Sequence, residues 1–236
     1  LAEDVPEIYT AFTIPPSASK HVGVLPPSVE EQSKRKSMPY TSLAEYTAER
    51  FHTTVALLAR LNPERAIDSL AVGDTLKVPN VTPFKIETIS HRSQLPRPPR
   101  ALSRRVHVDT SRRYLEVIDD GRLLAMFPIT PGSPQHPAPS GDWKIVNAAS
   151  MPWYRYDEGV LKRGQRSDDF LMLPAGPNSP VGIIWMGLSK RGVGIHGTNN
   201  PFTIGRAGSH GCIRLSNWNA ARMPELVGIG TPVRID

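Results

Sequence analysis

The stretches GIHGTNNP at positions 194–201 and SHGCIR at positions 209–214 are the most informative part of this 236-residue sequence. The second stretch holds Cys212, the only cysteine of the chain, sixteen residues after His196. A lone cysteine is most often a small apolar core residue, but glycine and polar residues surround this one. A thiol with glycine beside it and histidines nearby in sequence is the arrangement that a nucleophilic cysteine requires. The sequence therefore predicts a reactive thiol.

A thiol attacks a carbonyl carbon as the thiolate, and its ordinary pKa of about 8.5 means that a base must assist it. Two histidines are candidates for this base, His196 and His210. If residues 210–212 are extended, the side chains of His210 and Cys212 point to the same face. Either histidine can then reach the sulfur, and the spacing does not choose between them.

The glycines of both stretches have their own chemical reasons. Gly211 permits a tight turn or a positive φ angle, so that the N–H groups of Gly211 and Cys212 can point at one carbonyl oxygen. These two amides would form an oxyanion hole. Gly197 leaves a backbone carbonyl free to orient the imidazole of His196, which is the role of the third member of a catalytic triad.

The composition favours a chain of many short strands. Hydrophobic residues make up 39% of the sequence, and 24 prolines and 18 glycines argue against a helical bundle. The formal charge is +6, with arginines concentrated between positions 92 and 113. Aromatic residues do not alternate with these arginines, so we expect no nucleic-acid partner. There is no apolar run of 18 residues, so we expect no transmembrane segment.

Composition divides the chain into four parts. Residues 1–39 form a proline-rich extended arm, 40–80 a helix-helix-strand unit, 81–102 a proline- and arginine-rich linker, and 103–236 a domain of strands. In the second part, Ser42 begins a capping-box pattern, and Thr53 or Thr54 is the N-cap of a second helix. In the last part, an Asp-Gly pair between apolar runs predicts a hairpin.

The second part resembles a LysM module, a small α+β repeat that binds cell-wall glycan. The resemblance rests on AERFHTT (48–54), LLARLNP (57–63) and VGDTLKVP (72–79). The first strand of that family is missing before the first helix, where MPYT (38–41) stands instead. A degenerate module that serves as a structural prop is an equal alternative, and no ligand contacts are assigned.

The two opening stretches together resemble the signature of the YkuD-type L,D-transpeptidases. Three further matches extend the resemblance over residues 104–236: DG (120–121) leading to FPI (127–129), PSGDW (139–143) and PNSPVG (177–182). The resemblance implies a mainly β fold, with a β-sandwich-like catalytic domain at 103–236 behind the small LysM-like module.

The resemblance also implies roles for the site residues. Cys212 would be the nucleophile, His196 the base, and the carbonyl of Gly197 the group that orients His196. The amides of Gly211 and Cys212 would be the oxyanion donors. The residues that would shape the pocket or support the substrate are Thr198, Ser209, His210 and Arg214, with Arg214 beside the peptide stem.

The reaction implied is a two-step acyl transfer without metal or cofactor. The thiolate attacks the carbonyl at the L-centre of diaminopimelate in a tetrapeptide stem of peptidoglycan, D-alanine leaves, and an amine acceptor resolves the thioester. Carbapenems acylate the same thiol in this family. The acceptor stays open between a second stem, an envelope lipoprotein lysine, a free D-amino acid and water. Glycan strands are a further candidate partner. The implied location is the cell envelope, periplasmic or otherwise extracytoplasmic, and any signal peptide is not among these residues.

Three other interpretations keep the same residues. A wall hydrolase of the L,D-carboxypeptidase or endopeptidase type would use the same cysteine and histidine with water as acceptor. A zinc site would need a fourth ligand beside His196, His210 and Cys212. A non-catalytic wall-binding protein would act through residues 41–79. Residues 151–166 are expected to form a substrate-side loop. Four aromatic residues either line the groove or pack in the core: Trp153, Tyr154, Tyr156 and Trp185.

Overall fold

The computed structural model of the chain describes residues 7–206 and 208–236. The described residues divide into two compact units. One consists of residues 7–25 and Pro39–Thr88, and the other of Pro26–Met38 and Ile89–Asp236.

The helices and strands of the described residues follow in chain order. They are β1 (Tyr9–Thr13), α1 (Val29–Ser33), α2 (Leu43–Arg50), α3 (Val55–Leu61), β2 (Thr75–Pro79), β3 (Arg104–Asp109), β4 (Tyr114–Asp119), β5 (Arg122–Pro128), β6 (Gly141–Ser150), β7 (Tyr154–Tyr156), α4 (Glu158–Arg163), β8 (Leu171–Leu173), β9 (Ile184–Leu188), β10 (Gly194–His196), β11 (Ile213–Arg214), α5 (Asn217–Ala220), α6 (Met223–Leu226) and β12 (Pro232–Ile235). Short 3-10 helices cover Pro16–His21, Ile67–Ser69, Ile86–Thr88 and Pro201–Thr203.

Local capping chemistry fixes the two helices of the first unit. The Ser42 hydroxyl accepts a hydrogen bond from the N–H of Glu45 at 3.0 Å, and the Glu45 carboxylate accepts one from the N–H of Thr41 at 2.6 Å. The Thr54 hydroxyl accepts from the N–H of Leu57 at 2.8 Å. Each cap satisfies an N–H group that the helix leaves without a partner. The helix starts therefore lie where the sequence predicts them.

The described part of residues 1–39 does not form the separate extended arm that the composition predicts. Its first six residues lie outside the described residues, but β1 pairs along its whole length with β2, antiparallel, from Tyr9 opposite Pro79 to Thr13 opposite Thr75. Phe12 packs edge-on against Phe51, with ring centroids 4.8 Å apart. Strand β1 thus ends about thirty residues before α2 begins. Residues 26–38 belong instead to the second unit.

The second unit is built on one curled sheet. Its eight strands lie in the order β11-β10-β9-β6-β12-β3-β4-β5, which confirms the mainly β fold. Strand β6 joins the two halves, because Gly141–Lys144 pair with β12 and Ile145–Ser150 pair with β9. The pairing register shifts between Ile145 and Asn147, and such irregularities bend a strand. The sandwich-like shape that we expected is therefore one continuous sheet that curls.

The expected linker at 81–102 is partly built into the second unit. Arg92 and Ser150 exchange two backbone hydrogen bonds, and the N–H of Leu95 donates to the carbonyl of Ala148 at 2.8 Å. This stretch therefore runs along β6. None of the helices in the described ranges is long and apolar enough to cross a bilayer.

A polar cluster joins the outer face of the sheet to the C-terminal residue. His107 on β3 contacts the Glu116 carboxylate through Nδ1 at 3.0 Å and the Asp236 carboxylate through Nε2 at 3.1 Å. The hydrogen bond with Glu116 is the largest of the influences that raise the pKa of His107, and the bond with Asp236 adds to it. The protonated ring therefore stabilises the native state more than the neutral ring does.

We predict that His107→Gln destabilises the protein in a pH-dependent way. Because the folded pKa lies above the unfolded value of about 6.5, the stabilisation is complete below that pH and is lost as the pH rises through the folded pKa. Thermal melts should show a loss of about 2–4 °C near pH 5.5 and a smaller loss near pH 8.5. An equal loss at both pH values would contradict this linkage.

Candidate active site

The pairing of β10 with β11 brings the two opening stretches of the sequence together. These strands are parallel, with Ile195 opposite Ile213 and His196 opposite Arg214. Cys212 immediately precedes β11, so this register places it opposite Gly194, two residues before His196 on the neighbouring strand. Both side chains line one cavity of about 430 Å³, within the range of about 300–1,000 Å³ that is typical of ligand sites.

A backbone segment at residues 129–133 holds both ends of the turn that carries Cys212. Thr130 and Arg214 exchange two backbone hydrogen bonds, each of 2.9 Å. On the other side of the turn, the N–H of Ser209 donates to the carbonyl of Pro131, and the N–H of Ser133 donates to the carbonyl of Ser209, again at 2.9 Å. The turn from Ser209 to Arg214 is therefore anchored at both ends on one segment.

Inside this turn, Gly211 adopts a φ angle of +98°, which favours glycine because it has no Cβ. The expectation of a positive φ at this residue is confirmed. The Ser209 hydroxyl donates to the carbonyl of Cys212 at 2.5 Å. This hydrogen bond between the Ser209 side chain and the Cys212 backbone closes the turn that carries the thiol.

His196 is buried and its orientation is fixed from two sides. Its Nδ1 lies 2.6 Å from the carbonyl oxygen of Gly197. That carbonyl can only accept, so Nδ1 carries the proton and Nε2 is the basic atom. The ring stacks on Trp185 of β9, with centroids 5.4 Å apart and planes 21° apart. The contact between His196 Nδ1 and the Gly197 carbonyl is the one that the sequence predicts.

The electrostatic surroundings keep His196 neutral. Burial is the largest cause that lowers its pKa, the Gly197 carbonyl opposes it, and the positive charge of Arg214 adds to it, so that together they lower the pKa of His196 to about 4. At neutral pH the imidazole is therefore an unprotonated base. A proton that it receives from the thiol is held only transiently.

Cys212 is half-buried, and its thiol also stays uncharged at rest. The Sγ donates to the carbonyl of Gly192 at 3.6 Å. Burial raises the pKa of the thiol above its ordinary value, opposed by the N–H of Gly194 and the charge of Arg214. The resting pair is thus a thiol beside a neutral imidazole, which requires the proton to move during attack.

His210 occupies a different environment from His196. It is exposed, and its ring lies 5.0 Å from that of His136, centroid to centroid. Partial burial, His136 and Arg214 each lower its pKa. His210 lines the cavity, but among the described residues it has no hydrogen-bond partner comparable to the Gly197 carbonyl that holds His196.

The remaining predicted site residues surround the pair. The hydroxyl of buried Thr198 accepts from the N–H of Asn200 at 3.2 Å. Arg214 donates from Nη2 to the carbonyl of Gly208 at 2.5 Å and lines the cavity with Ser209. Their catalytic roles stay predictions.

Asn217 is a supporting residue that lies outside the two signature stretches of the sequence. Its side chain is buried and bonds to the N–H of Ile183 at 3.2 Å and to the carbonyl of Pro177 at 3.1 Å. A Cβ on Gly197 would lie 2.3 Å from Asn217 Oδ1, and a Cβ on Gly182 would lie 2.1 Å from it. Both glycines therefore leave the room that Asn217 fills behind His196.

Part of the cavity wall comes from the stretch 151–166, which we expected to form a substrate-side loop and which holds β7 and α4. Of the four aromatic residues whose role the sequence left open, Trp153, Tyr154 and Tyr156 line the cavity from this stretch, and Trp185 lines it from β9. Burial raises the pKa of Tyr154, and a negative charge on Cys212 adds to this effect. The aromatic groups therefore face the site.

Asp157 organises this wall, and no sequence signal pointed to it. The carboxylate is 2% exposed and accepts from the N–H groups of Gly159 and Val160 at the start of α4. It also accepts from the N–H and hydroxyl of Ser167 at 3.0 and 2.8 Å, and it pairs with Arg155. The N–H of Ser167 is the largest of the causes that hold the pKa of Asp157 well below its ordinary range.

In the part of the chain that the structure describes, no three His, Cys, Asp or Glu side chains lie close enough to hold a metal ion. His196, His210 and Cys212 therefore do not form the ligand cluster that a zinc interpretation needs.

A curled β-sheet that sets a buried, carbonyl-oriented histidine beside a lone cysteine in a cavity defines a cysteine-dependent acyl-transfer enzyme. The family described as YkuD, L,D-transpeptidase catalytic domain, matches residues 103–235, which is more than half of the chain. The chain belongs to this family, and its activity is that of a cysteine-dependent L,D-transpeptidase.

Similar proteins extend beyond the matched domain. The putative L,D-transpeptidase YkuD of Bacillus licheniformis is 29% identical over 191 residues, which cover 81% of this chain and 92% of the relative. The protein of the same name from Bacillus subtilis strain 168 is 27% identical over 186 residues, 79% and 88% of the two chains. Among solved structures, an L,D-transpeptidase from Mycobacterium smegmatis has a TM-score of 0.45 and 24% identity, covering 57% of this chain and 58% of that one.

The neutral pair generates a prediction about thiol reactivity. Alkylation of Cys212 by iodoacetamide needs the thiolate, so the rate should climb about tenfold per pH unit between about pH 6 and pH 9 without levelling off. The alkylated fraction of samples quenched at successive times can be measured by intact-protein mass spectrometry, which gives the rate. A rate that is already constant from about pH 6 would indicate a thiolate-imidazolium pair and contradict this description.

A second prediction concerns Thr130, which is buried. Its hydroxyl donates to the carbonyl of Thr203 at 2.6 Å and accepts from the N–H of Gly205 at 3.1 Å, while its backbone holds Arg214. Thr130→Val keeps the shape but leaves both groups without their partner. Acylation by a carbapenem should slow about tenfold to a hundredfold, because the thiol shifts.

Thr130→Ser is the matched control, since it restores the hydroxyl and should acylate within about threefold of the wild type. Equal rates for the valine and serine variants would show that the hydroxyl does not position the nucleophile.

Proposed function

We propose that this enzyme forms a thioester between Cys212 and the diaminopimelate carbonyl of a tetrapeptide stem, releases D-alanine, and transfers the acyl group to an amine. The observation that carries the proposal is the pairing of His196 opposite Arg214, with the imidazole fixed by the Gly197 carbonyl. This arrangement aims a neutral base at the cavity that Cys212 also lines.

In the first step, the Cys212 sulfur bonds to the stem carbonyl carbon while its proton passes to Nε2 of His196. The amide N–H groups of Gly211 and Cys212 stabilise the negative oxygen of the tetrahedral intermediate. When the carbon-nitrogen bond breaks, the imidazolium returns its proton to the nitrogen of D-alanine, which leaves as the amine. A thioester and a neutral imidazole remain.

In the second step, the amine acceptor bonds to the thioester carbon and gives its proton to His196. The carbon-sulfur bond then breaks, and the imidazolium reprotonates the thiolate, so that the resting pair is regenerated. The pKa of about 4 for His196 suits this cycle, because the imidazolium gives up its proton readily. The charge of Arg214 lies near both groups and favours the thiolate as it forms.

The substrate side is supported by the walls of the cavity. Trp153 is 51% exposed and lines the cavity, so its indole ring is accessible to a bound stem peptide. The Nε of Arg214 is buried without a hydrogen-bond partner among the described residues, which leaves it a donor for the peptide stem. Substrates of this kind place the enzyme in the cell envelope, outside the cytoplasm.

We further propose that the first unit is a LysM-like module that contacts glycan strands. Support comes from the order β1-α2-α3-β2 with β1 and β2 antiparallel, because β1 supplies the strand that the resemblance lacked. The full-length Cys212→Ala variant should bind purified sacculi whose stem peptides have been removed by an amidase. Binding that depends entirely on the stems would contradict glycan recognition.

Three substitutions test the catalytic assignment with a tetrapeptide muropeptide. Cys212→Ala should abolish D-alanine release, and His196→Ala should slow it by about a hundredfold or more, as expected for the loss of a positioned base. His210→Ala should cost less, because that ring is exposed and outside the Gly197 hydrogen bond. Equal or reversed losses for the two histidine variants would contradict the assignment of His196 as the base.

The products of the wild-type reaction then define the acceptor. With a second stem present, mass analysis should find cross-linked dimers beside released D-alanine. Shortened stems alone would assign the enzyme to hydrolysis instead, with water as the acceptor.

A further inference from the structure

Arg166 is an exposed side chain that lines the cavity shared by His196 and Cys212. It lies outside the two signature stretches of the sequence. Within the described part of the chain, its guanidinium takes part in no ion pair or hydrogen bond. An arginine has five N–H donors in a planar fork that matches a carboxylate. At the wall of a peptide-sized cavity, this fork is available to a ligand.

The backbone on both sides of Arg166 is nevertheless held in place. The N–H of Gln165 donates to the carbonyl of Gly159 at 3.3 Å, and the N–H of Ser167 donates to the buried Asp157 carboxylate at 3.0 Å. Arg155 also donates to the carbonyl of Ser167 at 2.6 Å. The bonds around Asp157 therefore fix the backbone from which the Arg166 side chain extends, while its charge has no partner among the described residues.

The other charged groups of the cavity wall are already engaged. Arg155 pairs with Asp157, so that their charges cancel. Arg214 donates to the carbonyl of Gly208 beside the nucleophile. After this pairing the wall carries a surplus of positive charge from Arg166 and Arg214, and Arg166 is the exposed one of the two. A positive wall attracts an anionic peptide.

We propose that Arg166 binds a carboxylate of the donor stem peptide and so makes the enzyme selective for stems in the free-acid form. The proposal rests on the proposed function, in which the donor is a tetrapeptide ending in diaminopimelate and D-alanine. Such a stem offers two carboxylates near the scissile bond, one on the terminal D-alanine and one on the second centre of diaminopimelate. Amidation of the one that Arg166 contacts removes the charge that it binds.

The test compares three synthetic donors on the wild type and on Arg166→Gln. One donor has both carboxylates free, one carries the amide at D-alanine, and one carries it at diaminopimelate. Arg166→Gln should raise KM for the free-acid donor about tenfold and change kcat less than about twofold, since an exposed charge pair acts mainly on binding. Amidation at the contacted carboxylate should abolish this difference and so identify which one it is.

Two controls separate the charge from the fold of the loop. Arg166→Lys keeps the charge but loses the fork, and should fall between the wild type and the glutamine variant. Arg122→Gln removes an exposed arginine from the start of β5, away from the cavity lining, and should leave KM unchanged. The alkylation rate of Cys212 by iodoacetamide should be the same in all variants, because none of them touches the thiol.

Dissociation constants keep the inference testable even if no donor is turned over. Calorimetry in the Cys212→Ala background should show about tenfold weaker binding of the free-acid donor when Arg166 is glutamine. Turnover that fails while this difference holds would refute the proposed reaction and not the carboxylate contact. Any of three results would overturn the inference. The dissociation constants could be equal with arginine and with glutamine at position 166, the effect of Arg166→Gln could be equal for all three donors, or no donor could show measurable binding.

Discussion

The parallel pairing of β10 with β11, which sets His196 opposite Arg214, is the constraint on which the site depends. A slip of one residue would turn the side chains of a strand to the opposite face, so the imidazole and the thiol would no longer share a cavity. The 129–133 segment opposes such a slip, because the backbone of Thr130 is hydrogen-bonded to that of Arg214, and the backbones of Pro131 and Ser133 are hydrogen-bonded to that of Ser209. The nucleophile is thus placed by backbone hydrogen bonds from outside its own motif.

Burial shapes the chemistry of the pair in one consistent direction. It disfavours charge on both partners, so it lowers the pKa of His196 and raises that of Cys212. The resting cysteine and histidine are therefore both uncharged, and charge develops on them as the sulfur attacks a carbonyl carbon. The Gly197 carbonyl and the stacked Trp185 then determine which nitrogen accepts the proton.

Features that depend on neighbouring residues were predictable from the sequence, and features that depend on distant ones were not. The helix caps at Ser42 and Thr54 and the positive φ of Gly211 follow from local chemistry. Strand β1 was missed, because five residues between prolines give no signal until β2 pairs with them. The hydrogen bonds of Asp157 likewise appear only once the wall has folded around it.

Trapping the acyl-enzyme tests most directly whether Cys212 carries the acyl group. Wild-type protein mixed with a tetrapeptide stem and quenched in acid should gain the mass of the stem minus D-alanine, and peptide mapping should place this mass on Cys212. Release of D-alanine with the label on another residue, or with unlabelled protein at every quench time, would contradict the claim that this thiol carries the acyl group.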